Sequence, residues 1–287
     1  MSADELRGQI SIARAASQHL GVGFLAWHLE DAQSTLLELL SIALKENVQA
    51  VWFAAGRPEV LERCVEFVHT HGNTKTVVFV QVNTVQQAIV AANQWKVDVI
   101  VAQGVESGGH GAGDALPLIN LVPLIVSALP PDGPPILAAG GLANGAHLAA
   151  VLTLGADGAV FGTRFLLAHE SLYSEAQRKA LVAASSEMSV RSMAWDHARS
   201  TLGWPSGIDG RGLRNSTFED FDKGVDMEII QSKYKEAVKE QDTDRINVWA
   251  GTGVGQMDKT QTAKSIVEEL HQECVERLAS AAQLYSS

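Results

Sequence analysis

Two cysteines in 287 residues are too few for a disulfide framework. Cys64 and Cys274 both fall on apolar positions of predicted helices, which reads as a pair of core thiols in a reducing compartment. No Cys/His spacing suits zinc, and no apolar run approaches the ~18 residues that span a bilayer. The start, Met1-Ser2-Ala3-Asp4-Glu5, lacks the basic and apolar stretches of a signal peptide, so the cytoplasm is the expected location. Lys and Arg number 22 against 33 Asp and Glu, a net charge of −11 with no local basic cluster. That balance argues against a nucleic-acid partner, because phosphate binding needs concentrated positive charge. With charged residues at 19% and hydrophobic residues at 46%, the chain is a globular protein that can bury a full core.

What is present is alternation. Apolar, β-branched runs predict strands over Val22–Trp27, Ala50–Phe53, Thr76–Gln81, Val97–Ala102, Pro135–Ala139 and Gly158–Phe161. Between them, apolar residues recur at i, i+3, i+4 and i+7. The sets are Leu36, Leu39, Leu40 and Ala43; Leu61, Cys64, Val65 and Val68; Val85, Ala88, Ile89 and Ala92; and Leu118, Leu121, Val122 and Ile125. Each set gives a helix one buried stripe. Thr84 and Gln87 make a capping box; Asn144 is placed to cap a helix start and Gly155 to follow its end. Fully apolar strands alternating with such helices imply a parallel sheet covered by helices.

Glycine is concentrated where strands end. Gln103-Gly104-Val105-Glu106-Ser107-Gly108-Gly109-His110-Gly111-Ala112-Gly113 follows the fourth strand. Glycine lets backbone approach a ligand, and imidazole exchanges a proton near neutral pH. A loop whose histidine merely caps a neighbour is the competing reading. The dinucleotide fingerprint fails at its last glycine in both Gly109–Gly113 and Gly251–Gly255. Instead, Gly140-Gly141 and Gly162-Thr163 follow the last two strands, as in the phosphate-binding end of a (β/α)8 barrel. Glu106 reads as a second acid–base group or as a structural carboxylate. The other histidines read as surface or packing residues; for His28, which follows the first strand, facing the mouth is the alternative. From about Leu167 to Ile246 the repeat breaks into helical runs, Glu175–Ser186 and Met227–Lys239, around a turn-rich stretch from Gly203 to Arg211. This is expected to be a helical lid over the mouth or a structural cap. Ala263, Ile266, Val267, Leu270 and Cys274 then share one face of a long final helix.

Several segments in order resemble the nitronate monooxygenase family: Val101–Gly111, Ala138–Gly145, Leu154–Leu166, Gly203–Asn215 and Val248–Gly255. The resemblance covers most of the chain from Val22 onward. It implies an FMN-binding TIM (β/α)8-type barrel, incomplete at the N-terminus, with a helical insertion after the last barrel strand. The six strands would be the family's third to eighth, with about two βα units missing. The uncovered edges would then be closed by the N-terminal residues or by a partner chain such as a second copy, or left open in a form that binds flavin poorly. The implied organisation is a helical N-terminal segment over 1–21, barrel over 22–166 and 247–287, and a lid over 167–246.

By the same resemblance His110 corresponds to the catalytic base beside the flavin. Ala139, Gly140 and Gly141 correspond to one part of the FMN-phosphate site, Gly162 and Thr163 to the other. Gln103, Gly108 and Gly109 lie in the loop passing near the flavin. No metal is implied. The activity implied is oxidative denitrification of alkyl nitronates or nitroalkanes to carbonyl compounds and nitrite with O2. An NAD(P)H-dependent flavin reductase of the enoyl-acyl-carrier-protein or quinone reductase type is the first alternative, and a non-catalytic flavin-barrel remnant the second.

Overall fold

The computed structural model describes residues 1–283 except 18, 31–34 and 74; the end of the segment 247–287 therefore lies outside the described residues. Two compact units emerge from the contacts, Met1–Ala102 with Leu124–Leu137, and Gln103–Pro123 with Ala138–Ser287.

The first unit opens with α1 (Ala3–Ala16), capped by a reciprocal pair in which Ser2 Oγ accepts from the Glu5 amide and the Glu5 carboxylate accepts from the Ser2 N–H. Then come β1 (Gly21–Leu25), α2 (Leu36–Lys45), β2 (Ala50–Ala54), α3 (Pro58–His71), β3 (Val77–Val82), α4 (Val85–Asn93) and β4 (Val99–Gln103). The four strands pair in chain order, all parallel, with Val22 opposite Val51 and Val51 opposite Val78. Val51, Phe53, Val78 and Val80 are fully buried, as are Leu40 and Cys64 on the covering helices. Each such side chain contributes about 1.5–3 kcal/mol. The first expected strand ends at Leu25 because Ala26–Glu30 winds into a 3-10 turn, although the Trp27 amide still donates to Ala55 O at 2.9 Å. At the α4 cap, Thr84 Oγ1 accepts from the Gln87 amide as expected, but Gln87 reaches back to the Asn83 N–H.

Beyond β4 come β5 (Gly109–Ala112), α5 (Leu118–Ala128), β6 (Ile136–Ala139), α6 (Gly145–Thr153), β7 (Gly158–Val160) and the single turn α7 (Thr163–Leu166). The Ile100 amide donates to Pro135 O and the Gly104 amide to Ala139 O, which lays β6 along β4; β7 follows in sheet order. Asn144 caps α6 through the His147 amide, and Gly155, at φ +99°, turns the chain after it.

The 167–246 segment contains α8 (Glu175–Ala183), β8 (Ser189–Ser192), α9 (Ala194–Arg199), β9 (Ile208–Leu213), α10 (Ser216–Asp222) and α11 (Met227–Glu240). α8 and α11 match the two expected helical runs, but periodicity did not reveal α9, α10 or the two strands. β9 pairs antiparallel with β5 on one side and β8 on the other. Both β5 and β9 are too rich in glycine to carry an apolar alternation, and only pairing at a distance makes them strands. The chain ends in α12 (Ala263–Ala282), which packs on α6. Ile266, Leu270 and Cys274 are buried there, but Val267 is 55% exposed, a correction to the expected stripe. A spacing of four keeps the buried set narrow, and Val267 lies one step around the helix from it.

Candidate active site

All the expected site residues fall in the second unit. Gln103 ends β4 with its side chain buried. The loop after it is held from behind. Glu106 accepts the Leu118 amide at 2.8 Å and so caps the start of α5, which makes it a structural carboxylate. Arg191 on β8 and Arg211 on β9 stand opposite each other across the ladder, an arrangement that like charges ordinarily disfavour. Both guanidiniums donate to Val105 O, at 3.2 Å each, and Arg191 Nε pairs with Asp209 at 2.5 Å. Burial, and then the neighbouring Arg191, push the Arg211 pKa below its ordinary value. The clamp fixes the peptide that leads into β5.

Strand pleating gives β5 two faces. A Cβ on Gly111 would meet Gln103 Oε1 at 2.9 Å and Ser107 Oγ at 3.0 Å, so that face looks onto the loop. His110 points the other way. Its Nε2 lies 2.9 Å from both Oδ1 and Oδ2 of Asp196, which is 0% exposed. Thr201 Oγ1 donates to Asp196 Oδ1 at 2.9 Å. The Trp204 ring lies parallel to the imidazole, centroids 3.7 Å apart and planes 10° apart, while Trp249 meets it edge-on at 5.1 Å. Asp196 is delivered by α9, whose neighbouring Trp195 is fully buried against Ile230 and Tyr234 and donates to Asn215 Oδ1. Trp249 is held through its amide by Tyr173 Oη at 3.0 Å, and burial pushes that phenol up to about 12.

The glycine tips come together behind β5. Thr163 Oγ1 accepts from the Gly251 amide at 3.0 Å, and Gly108 packs so tightly on Gly251 that no Cβ would fit. Gly140 and Gly141 adopt φ of +117° and +68°. A Cβ on Gly141 would lie 2.7 Å from Glu106 Cβ and 2.9 Å from Thr252 Oγ1. Among the described residues, the amides of Gly140 and Gly141 donate to no backbone acceptor. Ala139, at the end of β6, accepts from Gly104. At Gly109 and Gly162, by contrast, a Cβ would meet nothing within 4 Å. Ser107 Oγ is buried with no hydrogen-bond partner.

Four residues around His110 were given no role in sequence. Asp196 lies 86 positions away on a short helix without a motif, and Thr201 follows it. Trp204 lies inside the Gly203–Asn215 segment, visible as a pattern but without a role. Trp249 lies inside the Val248–Gly255 segment, likewise without a role. His28 stacks on Trp27 at 3.9 Å and lines a cavity of about 670 Å³ beside α1 and β1. No group of His, Cys, Asp or Glu among the described residues could hold a metal ion, and no helix there is long and apolar enough to cross a membrane.

Comparison with known proteins bears on this geometry. A nitronate monooxygenase family profile matches residues 11–273. The chain is 33% identical to a nitronate monooxygenase of Neurospora crassa over 90% of its own length and 72% of the relative's. It is 35% identical to the nitronate monooxygenase npaC of Metarhizium robertsii over 93% and 77%. Its α/β fold superposes on FabK from Thermotoga maritima with a TM-score of 0.79 and 26% identity, covering 99% of this chain and 85% of that one. The chain therefore belongs to the nitronate monooxygenase family, a family of oxidoreductase enzymes.

Proposed function

We propose that the protein is an FMN-dependent enzyme that oxidatively denitrifies alkyl nitronates and nitroalkanes with O2. Overall, two nitronate anions and one O2 give two carbonyl compounds and two nitrite ions, which balances atoms and charge. The observation that carries the reading is a histidine, held by a buried carboxylate, one residue from the glycine cluster in a chain of this family.

The residues present fit a flavin phosphate. The Gly140 and Gly141 amides form a concave pair with positive φ and no backbone acceptor, the kind of nest that takes an anion. The open space at Gly109 and Gly162 and the unpartnered Ser107 hydroxyl lie along the same loops. Gly140, Gly141, Gly162 and Thr163 would hold the phosphate, with Ala139 behind them. Gln103, Gly108 and Gly109 would border the ring. FMN supplies the one-electron and oxygen chemistry when bound. The chain's own contribution is to orient the substrate and move its proton. His110 takes the α-proton of a neutral nitroalkane and, once protonated, faces the nitronate with positive charge. Trp204 and Trp249 exclude water from the imidazole, and the 167–246 segment that carries Trp204 serves as the lid. Two buried free thiols suit a cytoplasmic setting.

The test is the absorbance spectrum of the purified protein, followed by nitrite release from ethylnitronate and from nitroethane in air. We expect flavin absorbance and nitrite from both. His110→Asn should retain flavin while turnover on nitroethane drops by roughly 10²-fold or more. Unchanged turnover in that flavin-loaded variant removes His110 from the mechanism. Flavin reduction by NADPH but not by nitronate, without oxygen, selects the reductase alternative; absence of flavin selects the non-catalytic one.

A further inference from the structure

We infer that Asp196 is a positioning residue that fixes the proton of the neutral His110 ring on Nε2, leaving Nδ1 as the atom that takes the substrate proton; this rests on the proposed function for the identity of the substrate. A carboxylate accepts hydrogen bonds and donates none. With both Asp196 oxygens 2.9 Å from Nε2, that nitrogen must carry hydrogen. Nδ1 has no hydrogen-bond partner among the described residues, so in the neutral ring its lone pair is free.

The carboxylate is itself oriented. Thr201 Oγ1 donates to Oδ1, and the Thr201 amide donates to Asp196 O at 2.9 Å, which ties the end of α9 to the carboxylate. The ring cannot turn over to exchange its nitrogens without breaking its stack on Trp204. Asp196, held by Thr201, thus imposes the tautomer, and Trp204 contributes packing against the ring face. The step is a single proton transfer: the C–H pair of the nitroalkane stays behind as the nitronate, and the proton moves to Nδ1. Nε2–H then donates to Asp196 from an imidazolium, and the buried carboxylate balances the new charge.

The decisive measurement is the long-range ¹H–¹⁵N spectrum of the ¹⁵N-labelled full chain, at a pH that keeps imidazole neutral. His110 is assigned by the signals lost in His110→Asn. The expected result is a protonated Nε2 and an unprotonated Nδ1. In Asp196→Asn, Thr201 still donates to the amide oxygen and the amide NH2 is turned to the ring. Nε2 must then accept, and the proton should shift to Nδ1. A wild-type proton on Nδ1, or an Asp196→Asn spectrum with the same tautomer, overturns the inference. Trp204→Ala is the control, since it removes packing and should leave the tautomer in place; loss of the tautomer there assigns the role to Trp204 and overturns the inference.

The kinetic arm compares neutral nitroethane with preformed ethylnitronate, which needs no proton removed. Asp196→Asn should lower the nitroethane-to-nitronate rate ratio by roughly 10²-fold or more. A purely structural loss would lower both rates together and leave the ratio unchanged, which counts against the inference. If the wild-type chain turned over neither substrate, the proposed function would fall while the spectrum still decided the tautomer.

Discussion

Glycine does two different jobs at the tips around the site, and substitution separates them. Gly141 is at φ +68°, and a methyl group there would press on Glu106 and Thr252. Left-handed backbone costs an alanine about 1–2 kcal/mol and overpacking about 1–3 kcal/mol. Gly141→Ala should therefore lose roughly 2–5 kcal/mol of stability, read as a fall in the urea midpoint at unchanged slope. Gly162 has an ordinary helical φ of −87° and open space where its Cβ would lie. Gly162→Ala should shift stability by less than about 0.5 kcal/mol and yet weaken FMN binding, measured by fluorescence quenching on titration. A Gly162→Ala chain that binds FMN as tightly as wild type would take that residue out of the phosphate site. Sequence marked both positions alike, because glycine looks the same whether it spares the fold or a ligand.

The start of α6 is an element whose stability depends on a neutral histidine. His147 Nδ1 accepts the Ala143 amide at 3.0 Å, and its own amide donates to the Asn144 cap. Burial holds the His147 pKa below its ordinary value, and Glu273 on α12 pulls the other way. The unfolded chain then binds the proton more readily than the folded one, so stability rises with pH through this group. Its contribution is complete above an unfolded histidine pKa of about 6.5 and is lost as pH falls below that toward the folded value. His147→Gln should flatten the slope of unfolding free energy against pH between about 5 and 7; a slope identical to wild type would exclude the group. Elements of this kind were largely legible. The Asn144 cap, Gly155, the four apolar stripes and six strands could be placed because caps, 3.6-residue spacing and β-branched runs are local signals. β5, β8 and β9 were not, because β5 finds its partner β9 about 100 residues away, β8 is only four residues long, and Gly109, Gly111, Gly210 and Gly212 break any apolar alternation in β5 and β9. The site followed the same divide: His110 stood out among glycines, whereas Asp196 became visible only when α9 was brought against β5.

At the scale of the whole chain, the division between the two units falls inside β4, α5 and β6 rather than in loops. Neither part can melt its share of those elements without fraying the continuation of the same strand or helix. The physical expectation is one cooperative transition, as for most single domains. The two cysteines are natural reporters, because Cys64 on α3 belongs to the first unit and Cys274 on α12 to the second, and both are buried. Burial also pushes the Cys64 thiol up to about 11, so little thiolate is present at neutral pH, and the Cys274 thiol shifts in the same direction. Neither should react with a thiol reagent in the native chain. In a denaturant series, with each site read by peptide mass analysis, both should become reactive at the same midpoint. Labelling of Cys64 at clearly lower denaturant than Cys274 would mean that the parallel strands β1–β4 open while the half carrying His110 stays folded, and activity measured alongside would then persist into that window.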